Sequence, residues 1–147
     1  MASLRPLLLV LVAPALAGCG GPSFSEIVDA HREDLGEVHD CGEIEQECRT
    51  DLHAAEACLL DALQTCMTAE LRLESHTIEG DPIPTVLFVE PGEPDCTITE
   101  FVDNSADAYK GDYADHVQHS CDRLTAKEVY DGCIVLVTED CTTVDEW

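Results

Sequence analysis

Positive charge is what this sequence has least of. The 147 residues include seven lysines and arginines against 31 aspartates and glutamates, a formal net charge of −24. Proteins bind nucleic acids by neutralising phosphates with basic side chains, and basic segments draw proteins to anionic lipid surfaces. The composition therefore argues against nucleic acid as a partner and against electrostatic docking on an anionic membrane. Cationic partners, including divalent metal ions, are compatible with it.

Several catalytic motifs are absent as well. The sequence has no Gly-x-Ser-x-Gly element to present a serine nucleophile, and no glycine-rich loop to hold phosphate groups. Pairs of carboxylates are frequent, but in so acidic a chain a pair carries little information. We therefore predict that the protein is not an enzyme, and a hydrolase of unrecognised type is the weakest functional alternative.

The nine cysteines include no Cys-x-x-Cys pair, which is the close spacing usual in zinc sites. Zinc is therefore the weaker interpretation, and a disulfide framework in an exported protein is the stronger one. Apart from the first, Cys19, eight cysteines remain. Eight is an even number, and four disulfides are expected. The pairing cannot be predicted from sequence, and the eight residues are Cys41, Cys48, Cys58, Cys66, Cys96, Cys121, Cys133 and Cys141.

The chain opens with an apolar run that is too short to span a bilayer, which takes about 20 residues. Arg5 precedes the run from Leu7 to Leu16, and the small residues Ala17 and Gly18 follow it. This order of basic, apolar and small residues is that of a secretory signal peptide. We therefore predict that residues 1–18 are removed on export.

The segment Leu16-Ala17-Gly18-Cys19 resembles the lipobox of bacterial lipoproteins; an ordinary secretory signal is the alternative. The resemblance implies lipidation of Cys19, with a diacylglyceryl group on its sulfur and an acyl group such as palmitate on its new amine. Two or more such chains hold a protein stably on a membrane, so the lipid bilayer is an expected partner. Neither Gly20 nor Gly21 is the aspartate that retains enterobacterial lipoproteins in the inner membrane. The outer membrane is therefore favoured, with the protein facing the periplasm or the cell surface.

The mature chain divides into a tether and one domain. Residues 19–22 form the lipidated N-terminus and a short tether, and residues 23–147 are long enough for a single domain. Loss of Arg5 leaves six basic residues and a formal net charge of −25. Such an excess of like charge keeps a domain soluble but lowers its stability, and disulfides offset part of that loss.

Two helices are predicted in the N-terminal half. The first begins at Ser23, because Glu26 follows at the spacing of a capping box, and ends before Cys41. His31 lies on the apolar stripe of this helix and is expected to be a partly buried filler rather than a ligand. The second helix runs from about residue 51 to residue 68.

The cysteines of the second helix must bond to other segments. Cys58 and Cys66 are eight residues apart, which is roughly 12 Å along a helix and too far for a disulfide. Cys41 and Cys48 are the nearest candidates in sequence. We expect such bridges to pin the two helices together as a pair.

The second half of the chain alternates in polarity and predicts an antiparallel sheet. The segment 116–124 is compatible with a strand or a helix and is interpreted as a strand, and Asp131-Gly132 is a hairpin turn signal. The predicted class is therefore α+β, with an N-terminal helix pair packed on a small antiparallel β-sheet in a disulfide-rich domain. The predicted strands are 71–78, 85–90, 96–102, 116–124 and 133–138.

Two groups of residues have the chemistry of metal ligands. The segment from Asp103 begins like a calcium loop, but Ala108 and Ala114 stand where such a loop needs glycine and glutamate. The second group is His116-x-x-His119-x-Cys121, whose two histidines point to opposite faces if the segment is a strand. An acidic surface loop and exposed histidines are the favoured interpretations. The weak calcium candidates are Asp103, Ser105, Asp107, Asp112 and Asp115, and no cofactor is predicted.

The mature part also resembles small cysteine-rich lipoproteins of Gram-negative bacteria that have no assigned function. The residues that carry this resemblance are Asp40-Cys41-Gly42, the helix from Ala57 to Cys66, and Gly132-Cys133. It implies fold and location at most, and no site. We expect a membrane-anchored protein of the cell envelope with a structural role or an interaction role toward another envelope protein. The alternative is a binding module for a divalent cation or a cationic ligand.

Overall fold

The computed structural model describes residues 21–92, 95–130 and 132–147, except for the side chain of Tyr130. Strands dominate this part of the chain, and two short helices lie in its N-terminal half. The elements in order are α1 (Phe24–Leu35), β1 (His39–Glu45), α2 (Ala54–Thr65), β2 (Ala69–His76), β3 (Pro82–Glu90), β4 (Thr97–Asp103), β5 (His116–Tyr130) and β6 (Cys133–Glu146).

The strands form a mixed six-stranded sheet whose spatial order follows the chain, from β1 to β6. Strand β1 is parallel to β2, with His39 beside Ala69 and Glu45 beside Glu74. All later neighbours are antiparallel. A parallel pair needs a crossover connection, and α2 is that connection.

The capping box predicted at Ser23 is present. The Ser23 hydroxyl accepts a hydrogen bond from the Glu26 amide, and the Glu26 carboxylate accepts one from the Ser23 amide at 2.7 Å. These contacts satisfy donors that a helix N-terminus leaves unpaired. The helix ends at Leu35, and its C-cap Gly36 has a φ of +79°, a positive value that glycine adopts more readily than other residues.

The two helices cover opposite faces of the sheet. On one face, Val28 of α1 packs against Val86, Phe88 and Phe101. On the other face, Leu59 of α2 belongs to a larger cluster of buried side chains. Alternate residues of each strand serve the two faces, as the two-residue period of a strand requires. The larger cluster comprises Ala55, Leu59, Ala62, Ala69, Leu71, Leu73, Leu87, Val89, Ile98, Cys121, Leu124 and Leu136.

The hairpin of β5 and β6 contributes to the cluster of buried side chains around α2. Only the first part of β5 pairs with β4, up to Cys121, and the rest of the hairpin extends beyond β4. Leu124 and Leu136 from that extension join the α2 cluster, and the Ile134 amide donates to the Arg49 carbonyl at 2.7 Å. The extended part of the hairpin therefore packs with the buried face of α2.

The predicted helix pair on a small antiparallel sheet is wrong. Residues 39–45 were expected to lie in a helix end and a polar connection, because Asp40, Glu43 and Glu45 are charged. They form an edge strand instead, and these side chains are exposed there. Helix α2 connects the parallel strands β1 and β2 and packs on the face opposite α1, so the helices do not pair.

The five predicted strands are present, but their lengths were underestimated at the C-terminal end. Strand β5 runs to Tyr130 and β6 to Glu146. The ambiguous segment 116–124 is a strand, as interpreted. Of the two predicted turn residues, Asp131 lies outside the described residues, and Gly132 has a φ of +84°.

Three disulfides connect these elements: Cys41 to Cys58, Cys66 to Cys96, and Cys121 to Cys141. The expectation of four bridges is not met in this structure, because Cys133 is a buried thiol outside the three pairs. Multiple disulfides are typical of exported proteins. Among the described residues, no helix is long and apolar enough to cross a membrane.

Of the two candidate partners, Cys41 is the one that bonds Cys58, whereas Cys66 bonds neither candidate. The expected consequence, a separately pinned helix pair, is wrong. Cys41 lies in β1, and Cys66 at the end of α2 bonds Cys96 in the connection between β3 and β4. Both bridges therefore tie α2 to the sheet.

Candidate functional site

Four segments meet at one end of the sheet, which we call the tyrosine end. They are residues 21–23, the β2–β3 turn (77–81), the β4–β5 connection (104–115), and Trp147 at the C-terminus. The antiparallel register brings the last three together, because β2 ends, β4 ends and β5 begins at this edge.

Aromatic contacts attach the start of α1 to the tyrosine end. The amides of His116 and Trp147 each donate to the other residue's carbonyl, at 3.0 and 3.1 Å. The His116 ring lies 5.7 Å from the Phe24 ring and 6.1 Å from the Trp147 ring. Its Nε2 lies 3.4 Å from an Asp103 carboxylate oxygen. The start of α1 therefore lies beside Trp147.

Aspartates shape the β4–β5 connection. Asp103 accepts a hydrogen bond from the Ser105 amide at 2.9 Å, and Asp107 accepts one from the Tyr109 amide at 2.8 Å. Asp81 of the neighbouring turn accepts one from the Ala108 amide at 3.1 Å. These carboxylates satisfy backbone donors of the connection, as aspartates commonly do in turns.

The calcium candidates do not converge in this structure. Asp103 and Asp107 are engaged as described, and the Lys110 ammonium ion pairs with Asp115 and lowers the pKa of that carboxyl. Asp112 lines a separate cleft of about 340 Å³, together with Glu146 and Asn104.

Within the described ranges, two groups of three ligand atoms lie within 4.8 Å of one another. One joins His39 to Cys41 and Cys58, and the other joins Glu100 to Cys121 and Cys141. Both groups contain a disulfide. A disulfide sulfur is not the thiolate that binds a metal, so neither group is a metal site in the oxidised protein.

The residues of the His116-x-x-His119-x-Cys121 motif are separated by the strand, as predicted. His116 contacts Phe24 on the α1 side of the sheet. His119 lines the cleft of Asp112, with its Nδ1 3.3 Å from the Thr143 hydroxyl. Cys121 is bonded to Cys141.

A buried carboxylate that the sequence analysis did not identify lies beneath α1. Glu70 of β2 is 1% exposed, and its two carboxylate oxygens lie 2.9 Å from Arg32 Nη1 and 2.6 Å from Arg72 Nε. Arg32 belongs to α1, so the pair joins the helix to the sheet. The sequence did contain an indication of this pair. Glu70 stands between the apolar residues Ala69 and Leu71, and Arg72, one of few arginines, follows closely.

His31 is partly buried, as predicted, and its surroundings are aromatic. Its ring meets Phe88 and Phe101 edge-on, at centroid distances of 5.1 and 5.0 Å. Its Nε2 lies 2.8 Å from a Glu90 carboxylate oxygen. Burial of Glu90 favours its neutral form, but hydrogen bonds from His31 and Thr99 and the charge of His31 lower its pKa.

Glu100 on the α2 face is the one described carboxyl for which a raised pKa is resolved. Burial raises the pKa of this carboxyl, and the Thr138 hydroxyl and His119 oppose the rise. The Thr138 hydroxyl donates to Glu100 at 3.1 Å. A raised pKa is one feature of acid–base sites, but no described cleft joins Glu100 to a nucleophile.

The tyrosine end carries the most exposed apolar side chains. Relative exposures are 102% for Ile78, 78% for Tyr113 and 74% for Tyr109, the highest among the six exposed large apolar residues of the described chain. Cys19, the predicted lipidation site, lies outside the described residues, which begin at residue 21.

Comparisons with family models, with curated proteins and with solved structures found no match for this chain.

Proposed function

We propose that the protein is an exported lipoprotein of the bacterial cell envelope, anchored through Cys19, with a structural or protein-interaction role. The observation that carries the proposal is the order Leu16-Ala17-Gly18-Cys19 after an apolar run. The three disulfides support the exported location. Two or more acyl chains would hold the domain stably on a bilayer.

A structural role agrees with how the domain uses its buried polar groups. Glu70 and Glu90 are each paired with a cationic or titratable group of α1, Arg32 and His31. These contacts join a helix to the sheet, so they contribute to the fold rather than to a cleft. The surface that is left to interact is strongly acidic, which favours a cationic face on the envelope partner.

The substitution Cys19→Ser tests the anchor. The full chain is expressed in a bacterial host with an isotope-labelled fatty acid, and the membrane pellet and detergent phase are analysed. We expect the parent to incorporate the label and enter the detergent phase, and Cys19→Ser to do neither. Gly20→Ala keeps the cysteine and is the matched control. Label incorporation by Cys19→Ser would refute the proposal.

The envelope partner is testable by cross-linking in intact cells followed by purification under denaturing conditions. We expect a defined cross-linked species with the parent. The species should be lost with Cys19→Ser, which lacks the membrane anchor. An unchanged cross-linked species in Cys19→Ser would show that anchoring is not needed for the interaction.

A further inference from the structure

We propose that the tyrosine end is a bilayer-contact surface, with Ile78, Tyr109 and Tyr113 lying in the headgroup layer of an uncharged leaflet. The inference rests on the proposed anchoring at Cys19. It adds an orientation, because it assigns one end of the domain to the membrane and leaves the opposite end to face away.

The length of the tether limits how far the domain can stand from the lipid. Ser23, the N-cap of α1, is four residues after Cys19. A fully extended chain advances at most about 3.6 Å per residue, so Ser23 lies within roughly 14 Å of Cys19. The headgroup layer on each side of a bilayer is about 5–7 Å thick. The part of the domain next to Ser23 is therefore beside the headgroups.

That part is the tyrosine end. The ring of Phe24, the residue after Ser23, lies 5.7 Å from His116, and His116 is hydrogen-bonded to the backbone of Trp147. The β4–β5 connection precedes His116 directly. The bond between the Ala108 amide and Asp81 joins this connection to the turn that carries Ile78.

The exposed side chains at this end suit an interface. A tyrosine has an apolar ring and a polar hydroxyl, and tyrosines are enriched where membranes meet water. Ile78 has full exposure at the tip of a turn, and transferring it from water to an apolar layer is favourable. Met67, another exposed apolar residue, follows α2 at the opposite end of the sheet.

The negative charges of the tyrosine end favour a leaflet of uncharged lipids over an anionic one. Asp81 and Asp107 are bonded to backbone amides, and Asp115 is paired with Lys110, the one basic residue of the β4–β5 connection. Glu79 and Asp112 add further negative charge. An anionic leaflet would repel this end, whereas an uncharged phosphatidylcholine or phosphatidylethanolamine surface would accept it.

Tryptophan quenching tests the orientation, because Trp147 is the single tryptophan of the chain. In a Trp147→Phe background, Ile78→Trp places a probe at the tyrosine end, and Met67→Trp places the matched control at the opposite end. Both positions are exposed. The lipidated full chains are reconstituted into phosphatidylcholine vesicles, with and without bromine atoms on the acyl chains, and collected by flotation.

We expect both variants to float with the vesicles, and brominated lipid to reduce the emission of the probe at position 78 and not that at position 67. Equal quenching of the two floating variants, or quenching at position 67 alone, would overturn the orientation and leave the anchor standing. Failure of both chains to float would overturn the anchor and, with it, the inference.

A second measurement keeps the native side chains, in case Trp147→Phe unfolds the domain. The lipidated chain is labelled with fluorotyrosine and placed on phosphatidylcholine vesicles that contain a spin-labelled lipid. The resonances are assigned with Tyr109→Phe and Tyr113→Phe. We expect both to broaden strongly on the spin-labelled vesicles, and sharp resonances at both positions would overturn the proposal.

Discussion

At the scale of single residues, the pair formed by Glu70 and Arg32 is the contact most specific to this fold. Glu70 is buried beneath α1, and its carboxylate meets one arginine from the helix and one from its own strand. Residues 19–147 include only six basic residues, and two of them pair with this one carboxylate. Their placement couples the position of α1 to the sheet.

We expect Glu70→Gln to lower the free energy of unfolding by about 3 kcal/mol, because removing one partner of a buried ion pair leaves the other charge uncompensated. The estimate is at the low end of the usual range because Arg32 and Arg72 are 36% and 39% exposed and can reach water. Denaturant unfolding measures the change. The exposed Glu43→Gln is the control, and equal stability of the two variants would contradict this role.

The burial of Glu100 predicts a pH dependence of stability that is opposite in sign to that of an ordinary paired carboxylate. Burial raises the pKa of this carboxyl in the folded state, so the folded state holds the proton more tightly than the unfolded state. Its ionised form therefore costs stability above the folded pKa, and the cost disappears as the pH falls through that pKa.

We expect Glu100→Gln to be more stable than the parent at pH 7, because the amide removes the buried charge and still accepts from Thr138. The gain should shrink as the pH falls toward 4.5, the ordinary value for glutamate. Melting temperatures across this range measure it, with the exposed Glu128→Gln as control. A gain that grows toward acid would show that the sign is wrong.

At the scale of elements, the disulfides hold α2 to the sheet near its middle, at Cys58, and at its C-terminal end, at Cys66. Cys58 is bonded to Cys41 of β1, and Cys66 to Cys96 before β4. The Cys41–Cys58 bridge spans 17 residues and includes the whole connection between β1 and α2. That connection would otherwise be free to sample many conformations in the unfolded chain.

We expect Cys58→Ser to lower the free energy of unfolding by about 3 kcal/mol, as predicted for a closed loop of this length. The variant should expose Cys41 as a new thiol, which peptide mapping after alkylation identifies. The control is Cys133→Ser, which removes a thiol outside the three bridges. A variant that melts like the parent would show that the Cys41–Cys58 bridge does not constrain the chain.

Much of this architecture could be predicted from sequence, and the missing parts have physical reasons. The capping box at Ser23 and the alternation in β2, β3 and β4 are local patterns, and they predicted elements that the structure contains. Strand β1 was missed because an exposed edge strand needs no apolar alternation. Its parallel pairing depends on a contact between distant segments, which no local pattern encodes.

The candidate site shows the same division. The separation of His116 from His119 could be predicted from the two-residue period of a strand. The assembly of the tyrosine end could not be predicted, because it depends on the register of five neighbouring strands and on the start of α1 lying at the same edge. The buried ion pair of Glu70 and Arg32 required the same long-range information.

At the scale of the whole molecule, repulsion between like charges lowers the stability of the fold. Residues 19–147 carry a formal charge of −25, and several of their ion pairs are exposed, such as Arg123 with Asp140. Exposed pairs contribute little, so self-repulsion among carboxylates dominates the electrostatic free energy.

We therefore expect sodium chloride to raise the melting temperature between low salt and about 0.15 M, where the Debye length falls to about 8 Å. Differential scanning calorimetry measures the effect. Removing an unpaired carboxylate should raise the melting temperature at low salt. Asp140→Asn is the control, because Asp140 is paired with Arg123 and its removal should not raise the melting temperature. A melting temperature that falls with salt would mean that ion pairs outweigh repulsion.

The cluster that α2 shares with the hairpin of β5 and β6 has a consequence for the lifetimes of backbone hydrogen bonds. Short helices normally fray rapidly, but the buried face of α2 packs around Leu59 with Leu124 and Leu136 of the hairpin as well as with the sheet, and two disulfides fasten the helix. Local opening of α2 therefore disrupts more buried contacts than opening of α1, whose cluster is smaller. In hydrogen exchange, the α2 amides should therefore exchange more slowly than those of α1.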